Sequence, residues 1–212
     1  MAGSVGSAVR YRTIGRGIFH CERCGGDRPY RHRARRRFLP PFGSAAAAPG
    51  TVMEHLSCAV CGTCYRLELL AVPTMSQMQI ALLAGTTAAV IAMLSADGAA
   101  AAPGQAATCR AVDTIRAAGA PDFDEACLAV ALARDTAGQV GRLRPAIEAF
   151  AIQLDPQARE WFLARVVQVG LADGALSDGQ RDVAGIIARY LGLTRAMARA
   201  VIVRTEEAAQ AG

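Results

Sequence analysis

Apolar and polar residues follow a helical period through the last two-thirds of the chain. From Thr74 onward, apolar positions recur every three or four residues, and capping residues, prolines and glycines interrupt the pattern at intervals. This part of the chain shows no convincing strand pattern. The pattern predicts seven helices, covering roughly residues 74–96, 103–119, 122–139, 142–154, 155–172, 177–192 and 194–209.

Several predicted helices start at residues whose side chains accept hydrogen bonds from free backbone N–H groups. Asp122, followed three positions later by Glu125, predicts a capping box for the third helix. Pro103 suits the first turn of the second helix, where its missing N–H costs nothing. Further N-caps are expected at Thr74, Asp155, Ser177 and Thr194.

A sequence repeat links two of the predicted helices. The segment VIAMLSADG ends at Gly98, and VVQVGLADG ends at Gly174, 76 residues later. In each case Ala-Asp-Gly follows a long apolar helix and precedes a short polar loop and another helix. Two three-helix units with one helix between them account for all seven helices, so we expect a compact bundle with pseudo-twofold organisation.

The first predicted helix lies in a long uncharged stretch. Between Glu68 and Asp97 there are 28 uncharged residues, more than the about 20 that span a bilayer. Pro73, Gly85 and several hydroxyl and amide side chains interrupt the stretch, and alanine supplies much of its apolar content. We therefore expect a buried core helix that does not span a membrane. A membrane-anchored adaptor that uses residues 69–96 is the alternative.

Two segments in the first third of the chain, FHCERCGGDRPY and HLSCAVCGTCY, each contain the pattern Cys-x-x-Cys-Gly. Two thiolates three positions apart can face one ion when the chain turns tightly, and the glycine relieves that turn. The pair predicts a structural zinc site in a small β zinc ribbon, residues 17–66. The expected ligands are Cys21, Cys24, Cys58 and Cys61.

One further cysteine and two histidines lie close to the predicted zinc ligands in the sequence. Cys64 is an alternative ligand in place of Cys58, although a free thiol is the simpler interpretation. His20 and His55 are expected to flank the site rather than bind the ion.

The number of cysteines and the N-terminal sequence bear on the cellular compartment of the protein. The chain has seven cysteines, an odd number, and its N-terminus has no apolar signal segment. These features predict reduced thiols in the cytoplasm rather than a disulfide framework.

Positive charge is concentrated near the N-terminus. Residues 1–50 contain ten arginines and two acidic residues, whereas residues 51–212 contain thirteen arginines and sixteen acidic residues. A cluster of arginines beside a zinc ribbon indicates contact with nucleic-acid phosphates or with an anionic membrane surface. A solvated hairpin tip explains the cluster as well. The candidate anion-binding residues are Arg31, Arg33, Arg35, Arg36 and Arg37.

Residue patterns typical of catalytic sites are absent from the sequence. All three histidines precede residue 56, so the helical part has no histidine for a catalytic triad. Neither a glycine-rich phosphate-binding motif nor a G-x-S-x-G motif occurs. Cys109, Cys127 and Trp161 lie within helical patterns and are expected to pack in the core. We therefore expect a protein that is not an enzyme.

Two Ala-Asp-Gly motifs at helix ends, the run LADGALSDGQRDVAGIIARYLGLT and the count of seven helices resemble the TerB family of tellurite-resistance proteins, a likeness shared with the N-terminal region of DjlA-type co-chaperones. The resemblance covers about residues 74–209. It implies an all-helical domain, a role in stress response around tellurite and oxidants, and binding of a divalent cation by Asp97 and Asp173. A zinc ribbon fused to a TerB-like domain also resembles an arrangement met in actinobacterial proteins.

The sequence departs from the family pattern at the second carboxylate of each loop. Where the family has a glutamate seven residues after the aspartate, this chain has Gln180, and the first loop offers Gln105 after a one-residue shift. Hard cations prefer several carboxylates, so we expect a capping role for Asp97 and Asp173 ahead of cation binding. An aspartate at a helix C-terminus is unfavourable, so a cation or N–H groups from a following helix should offset its charge.

The sequence therefore predicts a mainly α protein with a small zinc-bearing β part. Its expected function is that of a cytoplasmic, non-enzymatic TerB-like protein that acts in stress response or tellurite resistance through protein partners. The alternatives are a zinc-ribbon nucleic-acid-binding protein that uses residues 28–37 and the membrane-anchored adaptor.

Overall fold

The structure, a computed structural model, describes residues 8–38, 53–98, 102–134 and 140–211. The chain divides into two compact units, Met1–Gln77 and Met78–Gly212. The described residues form four strands in one antiparallel sheet and seven α-helices. The predicted class, mainly α with a small β part, is therefore confirmed.

The sheet of the first unit is a simple antiparallel meander. Its strands are β1 (Ala8–Cys21), β2 (Gly26–Phe38), β3 (Met53–Cys58) and β4 (Cys64–Tyr65), and they neighbour one another in chain order. The sheet begins at Ala8, whereas the ribbon was expected from residue 17. The pairing of β1 with β2 shifts register between Thr13 and Gly15, where β1 has one extra residue.

The arginine-rich segment 28–37 belongs to strand β2 and is not a hairpin tip. Side chains alternate between the two faces of a strand, so Arg31 and Arg33 share one face while His32 and Ala34 share the other. Ala34 is buried and Arg31 is exposed. The side chains of Arg35, Arg36 and Arg37 lie outside the described part of the structure, as does the alanine-rich segment 44–50.

All seven predicted helices are present. They are α1 (Met75–Leu94), α2 (Gln105–Ala117), α3 (Glu125–Arg134), α4 (Val140–Ala151), α5 (Pro156–Gly170), α6 (Asp178–Tyr190) and α7 (Arg195–Gln210). The expected side-chain caps of α5, α6 and α7 are confirmed, because Asp155, Ser177 and Thr194 each accept a hydrogen bond from an N–H of the first turn.

The predicted capping box of α3 is wrong. Asp122 lies in a turn before the helix, and the N-cap is Asp124, which accepts a hydrogen bond from Cys127 N at 2.8 Å. A cap must directly precede the first helical residue, which here is Glu125. The Cys127 N–H holds the pKa of Asp124 below its ordinary value.

The start of α1 has an acceptor for each of its first three N–H groups. Thr74 Oγ1 accepts from Gln77 N, and the Gln77 side chain accepts from Thr74 N, which together form a capping box. The carboxylate of Asp27, also in the first unit, accepts from Met75 N at 2.9 Å and from Ser76 N at 3.1 Å. These contacts, the one with Met75 foremost, hold the pKa of Asp27 below its ordinary value.

Helix α1 is apolar all round because two hydrophobic clusters of the helical unit both use it. Ala89 and Met93 join the cluster built mainly from α4, α5, α6 and α7. Val90, Ile91 and Leu94 join the other cluster, which contains residues of α2, α3 and α5. A helix that packs against neighbours on both sides needs no polar face over the buried part of its length.

Within the described residues, one segment, Leu67–Leu94, is long and apolar enough to cross a membrane, by length and composition alone. Its most apolar window is 44% buried inside the protein. A core helix and a membrane helix both meet this criterion, and the buried fraction comes from the two clusters just described.

Three residues expected in the core lie at the surface. Cys109 and Cys127 are exposed, and the side chain of Trp161 is 59% exposed. In alanine-rich helices several faces are apolar enough to be buried, so the pattern alone does not identify the face that packs. The neighbouring Phe162, by contrast, is buried.

Gly85 is required where α1 crosses α4. A Cβ at this position would lie within 3.0 Å of the Phe150 ring and of the Ala146 carbonyl oxygen. We expect Gly85→Ala to lower the free energy of unfolding by about 1–3 kcal/mol, because the crossing cannot absorb the methyl group. Urea titration followed by helical circular dichroism measures the change.

Gly185 provides the matched control, because it lies inside α6 and a Cβ there would meet no atom within 4 Å. We expect Gly185→Ala to raise the free energy of unfolding by about 0.5–1 kcal/mol through its helix propensity. Equal effects of the two substitutions would contradict the packing described for Gly85.

Candidate metal centre

Each Cys-x-x-Cys-Gly segment forms the turn between two antiparallel strands. Cys21 ends β1, residues Glu22–Cys24 form a single 3-10 turn, and Gly25 turns the chain into β2 with a φ of 64°. Cys58 ends β3, and Gly62, with a φ of 72°, precedes β4. Both glycines have a left-handed backbone conformation that residues with a side chain rarely adopt.

The pairing of β2 with β3 brings the two turns to the same end of the sheet. Tyr30 of β2 is in register with Cys58, and Ala59 N donates a hydrogen bond to Pro29 O at 2.8 Å. On the other side of β2, Cys21 is in register with Gly26. Strand pairing, rather than proximity in sequence, therefore brings the four predicted ligands together.

The four sulfur atoms form a compact group. The Sγ atoms of Cys21, Cys24, Cys58 and Cys61 all lie within 4.8 Å of one another, and the Cys21–Cys61 pair is 3.7 Å apart. A metal–sulfur distance of ~2.3 Å in a tetrahedron requires sulfur atoms about 3.8 Å apart. Cys21 and Cys58 are buried, and the other two are half-buried. The group can hold one metal ion.

Burial and hydrogen bonds shift the pKa values of three of these thiols in different directions. The hydrogen bond with Thr63 lowers the pKa of Cys61 to about 6, whereas burial and the nearby Cys21 raise the pKa of Cys24 to about 12. For Cys21, burial favours the neutral thiol, but hydrogen bonds, chiefly with Tyr65, outweigh it and lower the pKa. Four neighbouring thiolates repel one another unless a cation is bound between them.

Two residues that the sequence analysis did not single out surround the sulfur atoms. Tyr65 Oη lies 3.2 Å from Cys21 Sγ, and Thr63 Oγ1 lies 3.3 Å from Cys61 Sγ. The rings of Tyr65 and Tyr30 pack edge-on against the buried Phe19. Groups that contact the ligands orient them. Both Thr63 and Tyr65 lie in the segment CGTCY, next to the second cysteine pair, and this closeness in sequence was the available signal.

Cys64 and the nearby histidines stay outside the sulfur group. Cys64 is exposed, and its Sγ lies 3.9 Å from Gly62 O. His20 Nδ1 is buried, has no hydrogen-bond partner among the described residues and lies 3.7 Å from Asp27 Oδ1. The ring of His55 packs edge-on against Tyr11.

The candidate anion-binding residues Arg31 and Arg33 lie on one face of the sheet. Arg31 is in register with Arg16 of β1 and with Ser57 of β3, so two like charges stand directly opposite each other. Arg33 is in register with Thr13 and His55 in the same way. In the described part of the chain, none of these arginines forms an ion pair.

The two predicted aspartates each reach the helix that follows the other Ala-Asp-Gly motif. Asp173, at the end of the second motif helix, accepts hydrogen bonds from Gly104 N at 2.7 Å and Ala107 N at 3.0 Å, at the start of α2. Asp97 accepts from the hydroxyl of Ser177, the N-cap of α6, at 2.7 Å. Helix N-termini therefore offset the charge of both carboxylates.

The two glutamines at the positions where the resemblance leads us to expect glutamate also have structural partners. Gln180 completes the capping box of α6, because its Oε1 accepts from Ser177 N at 3.1 Å. Gln105 Nε2 donates to Glu125 Oε1 at 3.1 Å. A capping box needs an acceptor rather than a negative charge, so glutamine serves as well as glutamate there.

Comparison with known proteins adds no relative to these findings: no protein-family model, no curated protein and no solved structure matches the chain significantly.

Removing one sulfur ligand tests the centre directly. We expect purified protein to contain about one metal ion per chain and Cys21→Ser to lose it, because three sulfur atoms hold the ion far less tightly. Elemental analysis by mass spectrometry measures the stoichiometry. Cys64→Ser is the matched control and should keep the ion. Equal metal content in the two variants would contradict the assignment of the ligands.

Proposed function

We propose that the protein is a non-enzymatic TerB-like stress-response protein that acts through protein partners in the cytoplasm, with a structural zinc ion in its N-terminal ribbon. The reciprocal contacts of the two Ala-Asp-Gly loops, in which each aspartate reaches the start of the helix after the other motif, are the observation that carries the proposal. It is the arrangement expected if the two halves of the helical unit are related by a pseudo-twofold axis.

Several equivalent positions support this pseudo-twofold organisation. The helices that end in the motifs, α1 and α5, are also the two that contribute residues to both hydrophobic clusters. A Cβ on Gly104 would lie 2.6 Å from the Asp173 carboxylate, and a Cβ on Gly179 would lie 2.8 Å from Asp97 Oδ1. Each aspartate therefore approaches a glycine beside the start of the opposite helix.

Zinc is the metal that fits the sulfur group best. Four cysteines in two tight turns are typical of structural zinc sites, and four protein ligands leave no open coordination position for a substrate. Bound zinc would hold the two turns together and stabilise the sheet between them. The role proposed for the metal is therefore structural.

Deleting the gene tests the proposed role in stress response. We expect the deletion strain to tolerate tellurite and oxidants less well than the parent, and the wild-type gene to restore growth. Growth across a tellurite series and a peroxide series measures the effect. Unchanged tolerance in both series would count against the proposed function.

Complementation with Asp97→Asn separates a structural role from cation binding. Asparagine keeps an oxygen that accepts the one hydrogen bond of Asp97, from the Ser177 hydroxyl, but removes the negative charge. Asp173 is left unchanged, because its two carboxylate oxygens each accept a different backbone N–H and one amide oxygen cannot replace both. Because we propose a structural role for Asp97, we expect the variant to restore tolerance. Failure of a folded Asp97→Asn variant would show that the carboxylate charge is needed, as cation binding requires.

Nucleic-acid binding by the arginine face of the sheet is a second candidate function. Among the described strand residues, Arg16 and Arg31 face each other without an acidic neighbour, and the exposed Tyr11 and Met53 lie on the same face. Asp27 is the one acidic residue whose described strand position falls on this face, and backbone N–H groups occupy it. Phosphates would neutralise the facing arginines, and aromatic rings would stack on bases.

Salt dependence tests this second candidate. We expect a labelled RNA oligonucleotide to bind the protein less tightly as salt rises, and Arg31→Gln with Arg33→Gln to lower the log–log slope by about one for each arginine removed. Fluorescence anisotropy measures the affinity. Arg144→Gln with Arg195→Gln, on the helices, is a control with the same change in net charge. Identical slopes for the two double variants would exclude the arginine face as the binding surface.

A further inference from the structure

Helices α6 and α7 form a hairpin, and a groove of about 700 Å³ runs along one side of it. At the turn between the helices, Leu193 N donates to Ala188 O at 2.9 Å and Gly192 has a φ of 75°, which is a Schellman motif. At the other end, Arg181 Nη1 of α6 forms an ion pair with Glu206 Oε1 of α7 at 2.7 Å. The two helices therefore run in opposite directions along the groove.

The floor of the groove is apolar and accessible. Ile186 of α6 and Ile202 of α7 are half-buried, and Val203 is 40% exposed. A Cβ on Gly185 of α6 would meet no atom of the described chain within 4 Å, so the groove is open at that point. The lining residues of α7 recur at intervals of three and four and therefore form one face of the helix. They are Arg195, Ala198, Arg199, Ile202 and Val203.

Unpaired positive charge lies at the turn end of this groove. Arg189 is near the end of α6, Arg195 begins α7, and Arg199 follows one helical turn later. All three are exposed lining residues, and none forms an ion pair with any described residue. The nearby acidic residues, Asp182 and Glu206, lie at the opposite end. The groove therefore has an apolar floor and a positive rim.

An amphipathic helix with acidic residues beside its apolar face matches this groove. Grooves between helices bind such segments through apolar side chains on one face, and opposite charges at the rim favour one partner over others. Nucleic acid would use the arginines but would leave the apolar floor without a complementary group. A membrane surface is flat on this scale and cannot follow a groove between two helices.

The chain itself is a poor source of this acidic helix. Residues 1–7, 39–52 and 99–101 contain no acidic residue, and residues 135–139 contain one, Asp135. Two copies that met symmetrically through the groove would place the arginines of one copy against those of the other, and like charges repel. A separate protein is therefore the occupant that the charges favour.

We propose that the groove between α6 and α7 binds an acidic amphipathic helix of a partner protein. The acidic side chains of that helix lie beside Arg189, Arg195 and Arg199, and its apolar side chains lie against Ile202 and Val203. This inference rests on the proposed function, in which the protein acts through protein partners, and it adds the chemistry of the partner.

A displayed library of helical peptides tests which chemistry the groove selects. In the library, apolar residues repeat at i, i+3, i+4 and i+7, and the flanking positions vary freely between Glu, Gln and Lys. Selection on the purified full-length protein should enrich Glu over Lys, because the rim is positive. The most enriched peptide is then synthesised with a fluorescein label, and fluorescence anisotropy measures its affinity.

Charge reversal in the protein tests the rim. We expect Arg199→Glu to weaken the selected peptide by at least about fivefold, because it replaces attraction with repulsion. The same variant should bind a version of the peptide with Lys in place of Glu more tightly than wild type does. Arg110→Glu is the matched control, because Arg110 is exposed on α2 and lies outside the groove. It should bind the selected peptide as wild type does.

Loss of an apolar contact tests the floor. We expect Val203→Gln to weaken the selected peptide by at least about threefold, because less apolar surface is buried on binding. Val130→Gln is the matched control, since Val130 is an exposed valine on α3. Circular dichroism confirms that each variant is folded.

Four results would overturn the proposal. They are the absence of any enriched peptide, no excess of Glu over Lys, an unchanged affinity in folded Arg199→Glu, and an unchanged affinity in folded Val203→Gln. A labelled RNA oligonucleotide provides a further comparison. RNA binding that Arg199→Glu weakens, in the absence of peptide binding, would assign the groove to nucleic acid and would also overturn the proposal.

Growth of the deletion strain separates this inference from the proposed function. Unchanged stress tolerance of the deletion strain, together with peptide binding that depends on Arg199, would reject the proposed function and support the groove. Reduced tolerance that the Arg199→Glu gene restores in full, together with no peptide binding, would support the proposed function and reject the groove.

Discussion

Helix starts impose a constraint that several aspartates of this protein meet. The first N–H groups of a helix have no acceptor within their own helix, so another part of the chain must provide one. Asp27 meets this need for α1, Asp173 meets it for α2, and Asp97 supports the cap of α6 through Ser177. In the two Ala-Asp-Gly loops, the carboxylate that would be unfavourable at its own helix end stabilises the start of another helix.

The same balance of charge explains the sulfur group of the first unit. Four thiols lie within a few ångströms of one another, so ionisation of all four would bring like charges together. The hydrogen bonds of Thr63 lower the pKa of Cys61, whereas burial raises the pKa of Cys24. A cation bound among the sulfur atoms would offset the charge of the thiolates, as helix N-termini offset the charge of the aspartates in the helical unit.

Local signals in the sequence were sufficient for most of the fold and for the four cysteines whose sulfur atoms lie together. Ser177 and Thr194 predicted helix starts because a cap acts on the next three residues, and Cys-x-x-Cys-Gly predicted a turn because the glycine must adopt a left-handed conformation. Predictions of burial failed where the answer depended on a distant neighbour: Trp161 lies at the surface because the packing of α5 against α1 and α2 selects which of its apolar faces is buried. The capping box of α3 failed for a local reason, because Asp124 rather than Asp122 directly precedes the first helical residue.

The sequence by itself determined the seven helices, the paired cysteine turns and the uneven distribution of arginine, because each follows from residues close together in the chain. Only the tertiary structure decided which groups meet. Strand pairing placed the two cysteine turns at one end of the sheet and Arg16 opposite Arg31. Helix packing placed Asp173 against the first N–H groups of α2 and Asp97 against the Ser177 hydroxyl at the start of α6. The Cys21–Cys61 contact joins residues 40 positions apart, and the Asp97–Ser177 contact joins residues 80 positions apart. Contacts over such distances leave no periodic signal in the sequence, so no local pattern could predict them.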